Sequence, residues 1–471
     1  MTDQLRAYTK KSADLFSACE WFDYSQRTGA QQWTGEMQRQ ASEVSMQAAI
    51  HHGSHQASML REYYRHNPPG SDEEKAMVRL LLDGQVDMTP ETASALRQAQ
   101  ARANLLWESQ ASEDEYLDAL DEMFCIYRSI IDLASYRHPL DYFIAKFEHG
   151  FTVQRLDALF EPVKKSCIDI VRHGRAVSPS YPEIPKRIAE GLFGELIVCM
   201  RVGIGIGDIR DAHLAFCNLC GNRDVKLAID KTHFARGYTG LMHELGHALY
   251  VMRTDERLEN NGLWLPTSRA MDEAAAILYE HEIGKSRAFL HHVTRRIRDL
   301  GGTGVDAGQL YDSFNRLNLR PRVDADPVTY ALCIIIRYEI EKDLLEGRIS
   351  VKDLPEAWRD RHREYLGIET GSGREGIMQE VHWTTGLIGY FPVYLLGRMI
   401  AHALYERMMA VMPDLEQDIE NGRLDRVHDF MTDRIFRHGS MYTAEELLAP
   451  VIGNEPVRQY VAYLKQLNES G

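Results

Sequence analysis

Cysteine and long apolar runs are the scarcest features of this 471-residue chain. Its seven cysteines are an odd and sparse count, which favours reduced thiols in a cytoplasmic protein over a disulfide framework. The chain has no run of about 20 apolar residues, the length needed to span a bilayer. The charged-then-apolar opening of a signal peptide is also missing. We therefore expect a cytoplasmic protein that does not use a membrane as a partner.

Basic side chains are also in deficit. The 54 Lys and Arg residues against 69 Asp and Glu residues give a formal net charge of −15. A phosphate-binding surface needs clustered Lys and Arg, so this balance argues against nucleic acid as a partner. With 44 % hydrophobic and 26 % charged residues, the composition is otherwise that of a soluble globular protein.

Glycine and proline are rare in the first 130 residues, which read as helices. Helical runs are predicted over residues 8–26, 37–65 and 91–127, with turns at residues 67–70 and around residues 88–90. In the first run Leu15, Phe16, Cys19 and Phe22 recur at helical spacing. A bundle of hairpinned helices is the simplest packing for this pattern. No flexible linker interrupts the chain, so we predict one catalytic domain over residues 1–471 and a mainly α fold.

Residues 202–230 change character and predict a small β-sheet. Residues 225–229 alternate as a strand does, and Gly203, Gly205 and Gly207 alternate with Ile. The G-I-G-I-G run lacks the G-x-G-x-x-G spacing of a nucleotide-binding loop, so a strand is favoured there. The pair Cys217 and Cys220 has the spacing of half a zinc site or a redox dithiol. No second C-x-x-C follows, which favours free thiols.

The stretch from Gly240 to Tyr250 contains the pattern H-E-x-x-H. On a helix His243 and His247 are four residues apart and lie on one face, so both can bind one ion. Glu244 lies between them and can reach a water molecule held by that ion, as in zinc hydrolases. With 19 His in the chain, a chance match remains the alternative, which is a helix with two surface or capped histidines.

A third metal ligand must come from elsewhere in the chain, because the extended motif with a third His is absent. Zinc hydrolases with two His ligands usually add a carboxylate. A second helix predicted from about Ser268 carries Asp272 and Glu273 in its first turns, and Glu280 and Glu282 further on. Spacing alone does not decide which of the four acids is the third ligand. Acids near a helix N-terminus can also have no metal-binding role and simply interact favourably with the helix dipole.

The H-E-x-x-H helix, the Asp272-Glu273 pair and several later segments resemble the carboxypeptidase Taq family of metallocarboxypeptidases. The later segments are R-V-D-A-D-P-V-T-Y from Arg322, E-Y-L-G-I from Glu364, H-W at His382, G-Y-F-P-V-Y from Gly389, and R-H-G-S-M-Y-T-A-E-E-L-L from Arg437. They occur in the family's order and span essentially the whole chain. Jointly they are far more specific than H-E-x-x-H alone.

The resemblance implies a mainly helical, two-lobed metallopeptidase with a long central groove and a small β-sheet beside the zinc helix, usually a homodimer. It implies metal-dependent removal of C-terminal residues from peptides. It selects Glu273 as the third ligand beside His243 and His247, and it marks Arg322 as the Arg of the family's R-x-x-A-D motif. The block that lines the family's groove contains His382, Tyr390 and Tyr394.

Three segments depart from the family's pattern. The H-P-F segment reads Leu214-Ala215-Phe216, with His213 one place early. The D-x-R-x-T motif reads Asp224-Val225-Lys226-Leu227-Ala228, and three alanines, residues 274–276, follow Glu273 where polar residues are usual. Lys226 keeps a positive charge but lacks the bidentate fork that Arg offers a carboxylate. The alternative functions are therefore a catalytically quiet peptide-binding protein, or an endo- or oligopeptidase on the same scaffold.

The expected reaction uses Zn²⁺, with Co²⁺ as a possible substitute, to polarise the scissile carbonyl and to lower the pKa of a water molecule. Glu244 is predicted to act as general base. Tyr390 or Tyr394, with His382, is predicted to stabilise the developing oxyanion. The two tyrosines can alternatively be core aromatics.

For the C-terminal carboxylate of the peptide, Arg322 and Lys226 are the two candidate partners. The alternative for Arg322 is a structural ion pair with Asp324 or Asp326.

Overall fold

The computed structural model describes residues 1–28, 35–52, 54–83, 90–109, 111–131, 136–211, 215–221, 223–320, 322–452 and 456–469. The described chain is mainly helical with a small sheet, which confirms the predicted fold class. It forms two compact units. Unit 1 comprises residues 1–86, 179–314 and 397–456, and unit 2 comprises residues 87–178, 315–396 and 457–471. A single catalytic domain over residues 1–471 stays a prediction.

The α-helices of the described residues follow in chain order. The first ten are Thr2–Thr28 (α1), Gly35–His52 (α2), His55–His66 (α3), Asp72–Asp83 (α4), Pro90–Glu108 (α5), Glu113–Ile130 (α6), Pro139–Ile144 (α7), Val153–His173 (α8), Lys186–Met200 (α9) and Phe234–Met252 (α10). The next ten are Arg269–Ile277 (α11), Arg287–Asp299 (α12), Ala307–Asn315 (α13), Pro327–Glu346 (α14), Leu354–Leu366 (α15), Phe391–Val411 (α16), Leu415–Glu420 (α17), Asp425–Arg434 (α18), Ala444–Ile452 (α19) and Pro456–Glu469 (α20).

The helices predicted in the first 130 residues are present, but they do not form one bundle. The four helices α1 to α4 belong to unit 1, whereas α5 and α6 belong to unit 2. The predicted turn at residues 67–70 is confirmed, and residues 88 and 89 of the other predicted turn lie outside the described residues. In α1 the fully buried side chains include Leu5 and Tyr8, while Phe16 and Phe22 stay partly exposed.

The predicted sheet is present and lies just before α10 in the chain. Its strands are Arg210–Asp211 (β1), Phe216–Gly221 (β2) and Asp224–Ile229 (β3), in the order β1-β3-β2. β3 pairs parallel with β1 and antiparallel with β2. The prediction of a strand over residues 203–207 is wrong. Gly203 has a φ of +82°, outside the strand region, and Ile206–Asp208 is a 3₁₀ turn.

Small residues let α10 pack closely against its neighbours in unit 1. A Cβ on Gly240 would lie 2.7 Å from Cβ of Ala215. A Cβ on Gly246 would lie 2.6 Å from Cα of Ala276 and 2.8 Å from the carbonyl oxygen of Ala275. The backbone of α11 at Ala275 and Ala276 therefore lies against Gly246 of α10, which leaves no room for a side chain at position 246.

The helix that carries the candidate third ligand begins and ends with identifiable contacts. Ser268 caps α11 by accepting a hydrogen bond from the backbone N–H of Met271 at 3.2 Å. The chain continues from α11 into a π-helix at Leu278–Gly284. There the N–H of Lys285 donates to the carbonyl of Glu280 at 3.0 Å, a bond that spans five residues.

Unit 2 has its own core, built largely by α6, α7, α8, α14 and α15. Its largest fully buried side chains include Trp358 and Trp383, each with 0 % exposure. The boundary with unit 1 falls inside α16, between Leu396 and Gly397.

None of the helices in the described ranges combines the length and the apolar character that a bilayer crossing needs.

Candidate active site

Two helices of unit 1 bring His243, His247 and Glu273 together. His243 and His247 are on α10 and Glu273 is on α11, and one ligand atom from each lies within 4.8 Å of the other two. Nε2 of His243 lies 3.7 Å from Oε1 of Glu273. Nε2 of His247 lies 3.8 Å from Oε2 of the same carboxylate. The three side chains therefore point at one common position.

The outer ring nitrogens of the two histidines each meet another carboxylate. Nδ1 of His243 lies 2.9 Å from Oε2 of Glu280, and Nδ1 of His247 lies 2.8 Å from Oδ1 of Asp272. A carboxylate at Nδ1 holds the proton on that nitrogen, so Nε2, which faces Glu273, is the nitrogen left to bind either a second proton or a metal ion. Two of the acids that the spacing left open, Asp272 and Glu280, thus orient the histidines.

The last rival acid has another partner. Oε2 of Glu282 lies 3.1 Å from Nδ1 of His402 on α16, and both residues are buried. Its contact is therefore made away from the two α10 histidines. Of the four acids, Glu273 is the one whose carboxylate faces Nε2 of both His243 and His247.

The cluster carries a strong negative field. Burial lowers the pKa of His243, but Glu273, Glu280 and Glu244 outweigh burial and raise it to about 10. Burial also lowers the pKa of His247, but the Asp272 carboxylate outweighs burial, so the pKa of His247 is raised. A raised pKa at both imidazoles means that the carboxylates favour positive charge here, either a proton or a cation.

Glu244 is buried, with 5 % exposure, next to the two histidines. Burial raises the pKa of its carboxyl group, against the opposing effect of His243 and His247. The residue lies on the same helix as both histidines, so the H-E-x-x-H pattern is formed on one continuous helix, as predicted.

The donor set fits a divalent metal ion. Two imidazole nitrogens and one carboxylate oxygen are the protein ligands of a catalytic zinc site, which keeps a further position open. The carboxylates at both Nδ1 atoms are the outer contacts that such ligands usually have.

In unit 2, His382 is held between a carboxylate and a tyrosine. Nδ1 of His382 lies 2.5 Å from Oε1 of Glu380, and Nε2 lies 3.0 Å from the hydroxyl of Tyr394. Glu380 is itself paired with Arg337, whose Nε donates to Oε2 at 2.5 Å, and both are 1 % exposed. The pairing with Arg337 keeps Glu380 an anion and therefore an acceptor.

These contacts decide where the protons lie. Burial lowers the pKa of His382, and although Glu380 raises it, Arg322 and Arg337 leave it below the ordinary value. A neutral His382 with its proton on Nδ1 accepts from the Tyr394 hydroxyl at Nε2. Tyr394 can donate to a second acceptor only when that proton turns away from His382.

Arg322 and Tyr390 lie beside the same tyrosine. The guanidinium of Arg322 is 5.7 Å from the ring centroid of Tyr394, and the Tyr390 ring is 5.3 Å from that ring. Both oxygens of Asp326 accept hydrogen bonds within their own segment, from Asn318, Val328 and Thr329. These bonds make Asp326 the N-cap of α14. The assignment of Arg322 to the substrate stays a prediction.

Lys226 lies on β3 in unit 1, and its ammonium donates to Oδ1 of Asp224 at 2.5 Å. Its side chain is 37 % exposed. The Lys and the Asp of the altered D-x-R-x-T motif therefore pair with each other.

Cys217 and Cys220 are free thiols on β2, as predicted. His213 and Leu214 of the altered H-P-F segment lie outside the described residues.

Sequence reasoning missed the groups behind Glu280. Nζ of Lys285 contacts that carboxylate and Nε2 of His281, and a guanidinium nitrogen of Arg398 contacts the same nitrogen of His281. Arg398 has a signal in the sequence, because it lies inside the otherwise apolar run of residues 391–401, whereas Lys285 lies among charged neighbours and has none. The π-turn that brings Lys285 to Glu280 has no recognisable sequence pattern.

A helix with H-E-x-x-H, packed on a helix that adds a carboxylate facing both histidines, defines the class of metal-dependent peptidases. The family described as Carboxypeptidase Taq (M32) metallopeptidase matches residues 4–468. The chain belongs to this family. The enzyme class predicted from the sequence, a metallocarboxypeptidase, is thereby confirmed, and family membership implies a divalent metal.

Named relatives agree with this assignment. Carboxypeptidase 1 of Bacillus subtilis is 30 % identical over 381 residues, which cover 77 % of this chain and 76 % of the relative. Thermostable carboxypeptidase 1 of Pyrococcus furiosus is 27 % identical over 399 residues, covering 80 % and 79 % of the two chains. The solved structure of Pyrococcus furiosus carboxypeptidase has a TM-score of 0.90 at 23 % identity and covers 99 % of this chain and 98 % of that chain. That similarity supports the fold.

Proposed function

We propose that this protein removes C-terminal residues from peptides with a zinc ion held by His243, His247 and Glu273. The observation that carries the proposal is the single Glu273 carboxylate facing Nε2 of both histidines, at 3.7 and 3.8 Å. When bound, zinc supplies a Lewis acid that polarises the scissile carbonyl and acidifies a water molecule. Co²⁺ is the substitute we expect to support activity.

Glu244 is the proposed general base. It follows His243 directly and is buried among the metal-site residues, so its carboxylate can take a proton from water and return it to the leaving amine. Asp272 and Glu280 hold His247 and His243 in the tautomer whose Nε2 can bind a metal. In this scheme Glu273 binds the metal and Glu244 is the general base. Asp272 and Glu280 orient the two histidines.

On the substrate side, we assign oxyanion stabilisation to Tyr394 or Tyr390, with His382 beside them as the residue whose Nε2 accepts a hydrogen bond from the Tyr394 hydroxyl until that hydroxyl turns to the oxyanion. One such hydrogen bond contributes about 2.7–4 kcal/mol to catalysis in comparable enzymes. Support comes from the 3.0 Å contact between Tyr394 and His382 and from the resemblance to the family. Arg322, beside Tyr394, is the proposed partner of the peptide's C-terminal carboxylate, with Lys226 as the second candidate.

A homodimer and a cytoplasmic location complete the proposal. The first rests on the family resemblance alone, and the second on the sparse cysteines and the composition. Sedimentation at several protein concentrations tests the homodimer, and a monomer at every concentration would contradict it.

A peptide panel tests the reaction. Peptides with free and with amidated C-termini are incubated with the zinc- and cobalt-loaded protein, and products are separated by mass. Release of single residues from the free C-terminus, with loss of cleavage in Glu244→Gln at unchanged metal content, is the expected result. Unchanged turnover in Glu244→Gln would remove that residue from the mechanism.

A second candidate is a catalytically quiet peptide-binding protein. It is favoured by one specific observation, the pairing of Lys226 with Asp224 inside the altered D-x-R-x-T motif. Tight binding of free-C-terminus peptides without cleavage in the same panel would select it. Internal cuts would instead indicate an endo- or oligopeptidase.

A further inference from the structure

Behind His243 lies a group of buried charges that the proposed reaction does not use. Oε1 of Glu280, the oxygen turned away from His243, lies 2.5 Å from Nζ of Lys285 and 3.2 Å from Nε2 of His281. A guanidinium nitrogen of Arg398 lies 3.0 Å from the same His281 nitrogen. Lys285, His281 and Arg398 are 8 %, 6 % and 6 % exposed. Burying two cations is costly unless each has a partner, and here Lys285 is paired with Glu280 while Arg398 contacts His281.

The π-turn is what allows Lys285 to reach Glu280. On a regular α-helix, side chains five residues apart differ by about 140° in direction and do not meet. Here the Lys285 N–H donates to the Glu280 carbonyl at 3.0 Å, and this widened turn places the two side chains on one side. Widened turns of this kind are frequent at functional sites.

The contacts of the group form a chain that leads to His243. Nζ of Lys285 donates to Oε1 of Glu280 at 2.5 Å, and Oε2 of the same carboxylate lies 2.9 Å from Nδ1 of His243. Burial lowers the pKa of His281 to about 3, and Arg398 acts in the same direction, so His281 is neutral. The Glu280 carboxylate is therefore the group that joins Lys285 to His243.

We propose that Lys285 is a positioning residue for the metal ligand His243, acting through the shared carboxylate of Glu280. The inference rests on the proposed metal site. Fixing Oε1 by Lys285 leaves Glu280 one orientation, in which Oε2 accepts from Nδ1–H of His243 and the Nε2 lone pair faces Glu273. Without the ammonium group, the carboxylate can rotate about its own axis, and the histidine loses its preferred tautomer and direction.

A purely structural role for Lys285 makes a different prediction. In that case, removing the ammonium lowers the stability of unit 1 but leaves the affinity for metal unchanged. The two roles are separated by measuring metal affinity directly, on full-length protein, rather than by activity.

The experiment compares Lys285→Met, Lys285→Arg and a matched control, Lys164→Met. Lys164 is a half-buried lysine of unit 2 that, like Lys285, is paired with carboxylate, in its case that of Glu161 and of Glu339, at 2.9 and 3.0 Å. The dissociation constant for Zn²⁺ is measured by competition with a chromophoric chelator. We expect Lys285→Met to weaken binding about 10–100-fold, as loss of outer-shell contacts does, Lys285→Arg to recover most of the affinity, and Lys164→Met to match wild type.

Wild-type affinity in Lys285→Met, or an equal loss in Lys164→Met, would overturn the inference while leaving the metal site intact. Failure of the wild-type protein to bind Zn²⁺ would overturn the proposed function and this inference together. Should Lys285→Met not fold, Lys285→Gln with Co²⁺ replaces it. A changed visible absorption spectrum of the bound Co²⁺ supports the proposal, and a spectrum identical to wild type contradicts it.

Discussion

Oδ1 of Asp272 lies 2.8 Å from Nδ1 of His247, while the adjacent residue, Glu273, faces Nε2 of the same ring at 3.8 Å. Two successive acids of α11 thus contact opposite nitrogens of one imidazole. Because successive residues on a helix differ by about 100°, the two carboxylates reach the ring from different sides. The dipeptide supplies both a candidate metal ligand and the group that orients another ligand.

The first prediction concerns Asp272. Asp272→Asn replaces an anionic acceptor with a weaker neutral one, so we expect zinc affinity to fall about 10–100-fold. Chelator competition measures the change. Glu282→Gln is the matched control, because it also removes a buried carboxylate from an acid–histidine pair, at 3.1 Å from His402. Equal affinity losses in both variants would show that general destabilisation, and not orientation of His247, is responsible.

A second prediction uses Gly397 on α16, which packs against the third ligand. A Cβ there would lie 3.0 Å from Cγ and 3.1 Å from Cβ of Glu273. These contacts are tight enough to require a small displacement, so Gly397→Ala should shift the carboxylate and weaken zinc binding several-fold. The same titration, together with a thermal melt, checks it. An unchanged dissociation constant would mean that Glu273 is not held by this contact, or is not a ligand.

A third prediction addresses the contact between α10 and α11. Gly246→Ala would bring a Cβ to 2.6 Å from the backbone of Ala276, a clash that a side-chain rotation cannot relieve. We expect a loss of about 1–3 kcal/mol in the free energy of unfolding, the usual cost of overpacking. Gly194→Ala in α9 is the control, because nothing lies within 4 Å of its added Cβ. Helix propensity there predicts a gain of about 0.5–1 kcal/mol. Denaturant unfolding of both variants tests the pair, and an equal effect would contradict the packing argument.

A fourth prediction concerns pH and the buried acid Glu341 in unit 2. Burial raises the pKa of Glu341 to about 8, against hydrogen bonds from the Gly389 N–H and the Trp383 indole, each at 3.0 Å. Between the unfolded value of about 4.3 and this folded value, the folded state holds one proton more than the unfolded chain. The stabilising effect of that proton is complete below about pH 4.3 and is lost as the pH rises through 8.

The measurement is the free energy of unfolding as a function of pH, for wild type and Glu341→Gln. Wild type should lose stability relative to the variant by roughly 1.4 kcal/mol per pH unit inside the window, because the variant cannot titrate there. Comparing the two curves cancels the contributions of the metal-site residues. Parallel curves between pH 5 and 8 would contradict the assignment of this proton to Glu341.

The parts of this fold that the sequence predicts are those encoded by local patterns. The helical run predicted over residues 8–26 lies within α1, which runs from Thr2 to Thr28. The placement of His243 and His247 on one helical face follows from their spacing alone. The start of α11 at Ser268 follows from its capping chemistry.

The parts that the sequence does not predict depend on contacts between distant segments. Spacing could not separate Asp272, Glu273, Glu280 and Glu282, because each role is set by which histidine nitrogen or partner the acid meets. The π-turn that brings Lys285 to Glu280 shifts the helical register, so a period of 3.6 residues places Lys285 on the wrong side. The alternating run at residues 203–207 resembled a strand, but the positive φ of Gly203 prevents one.

The most direct test of the whole account is an anomalous diffraction measurement on a zinc-soaked crystal. We predict one strong peak about 2.0–2.2 Å from Nε2 of His243, Nε2 of His247 and a carboxylate oxygen of Glu273. A peak held by other residues, or none at these three at saturating zinc, would contradict the metal-dependent mechanism.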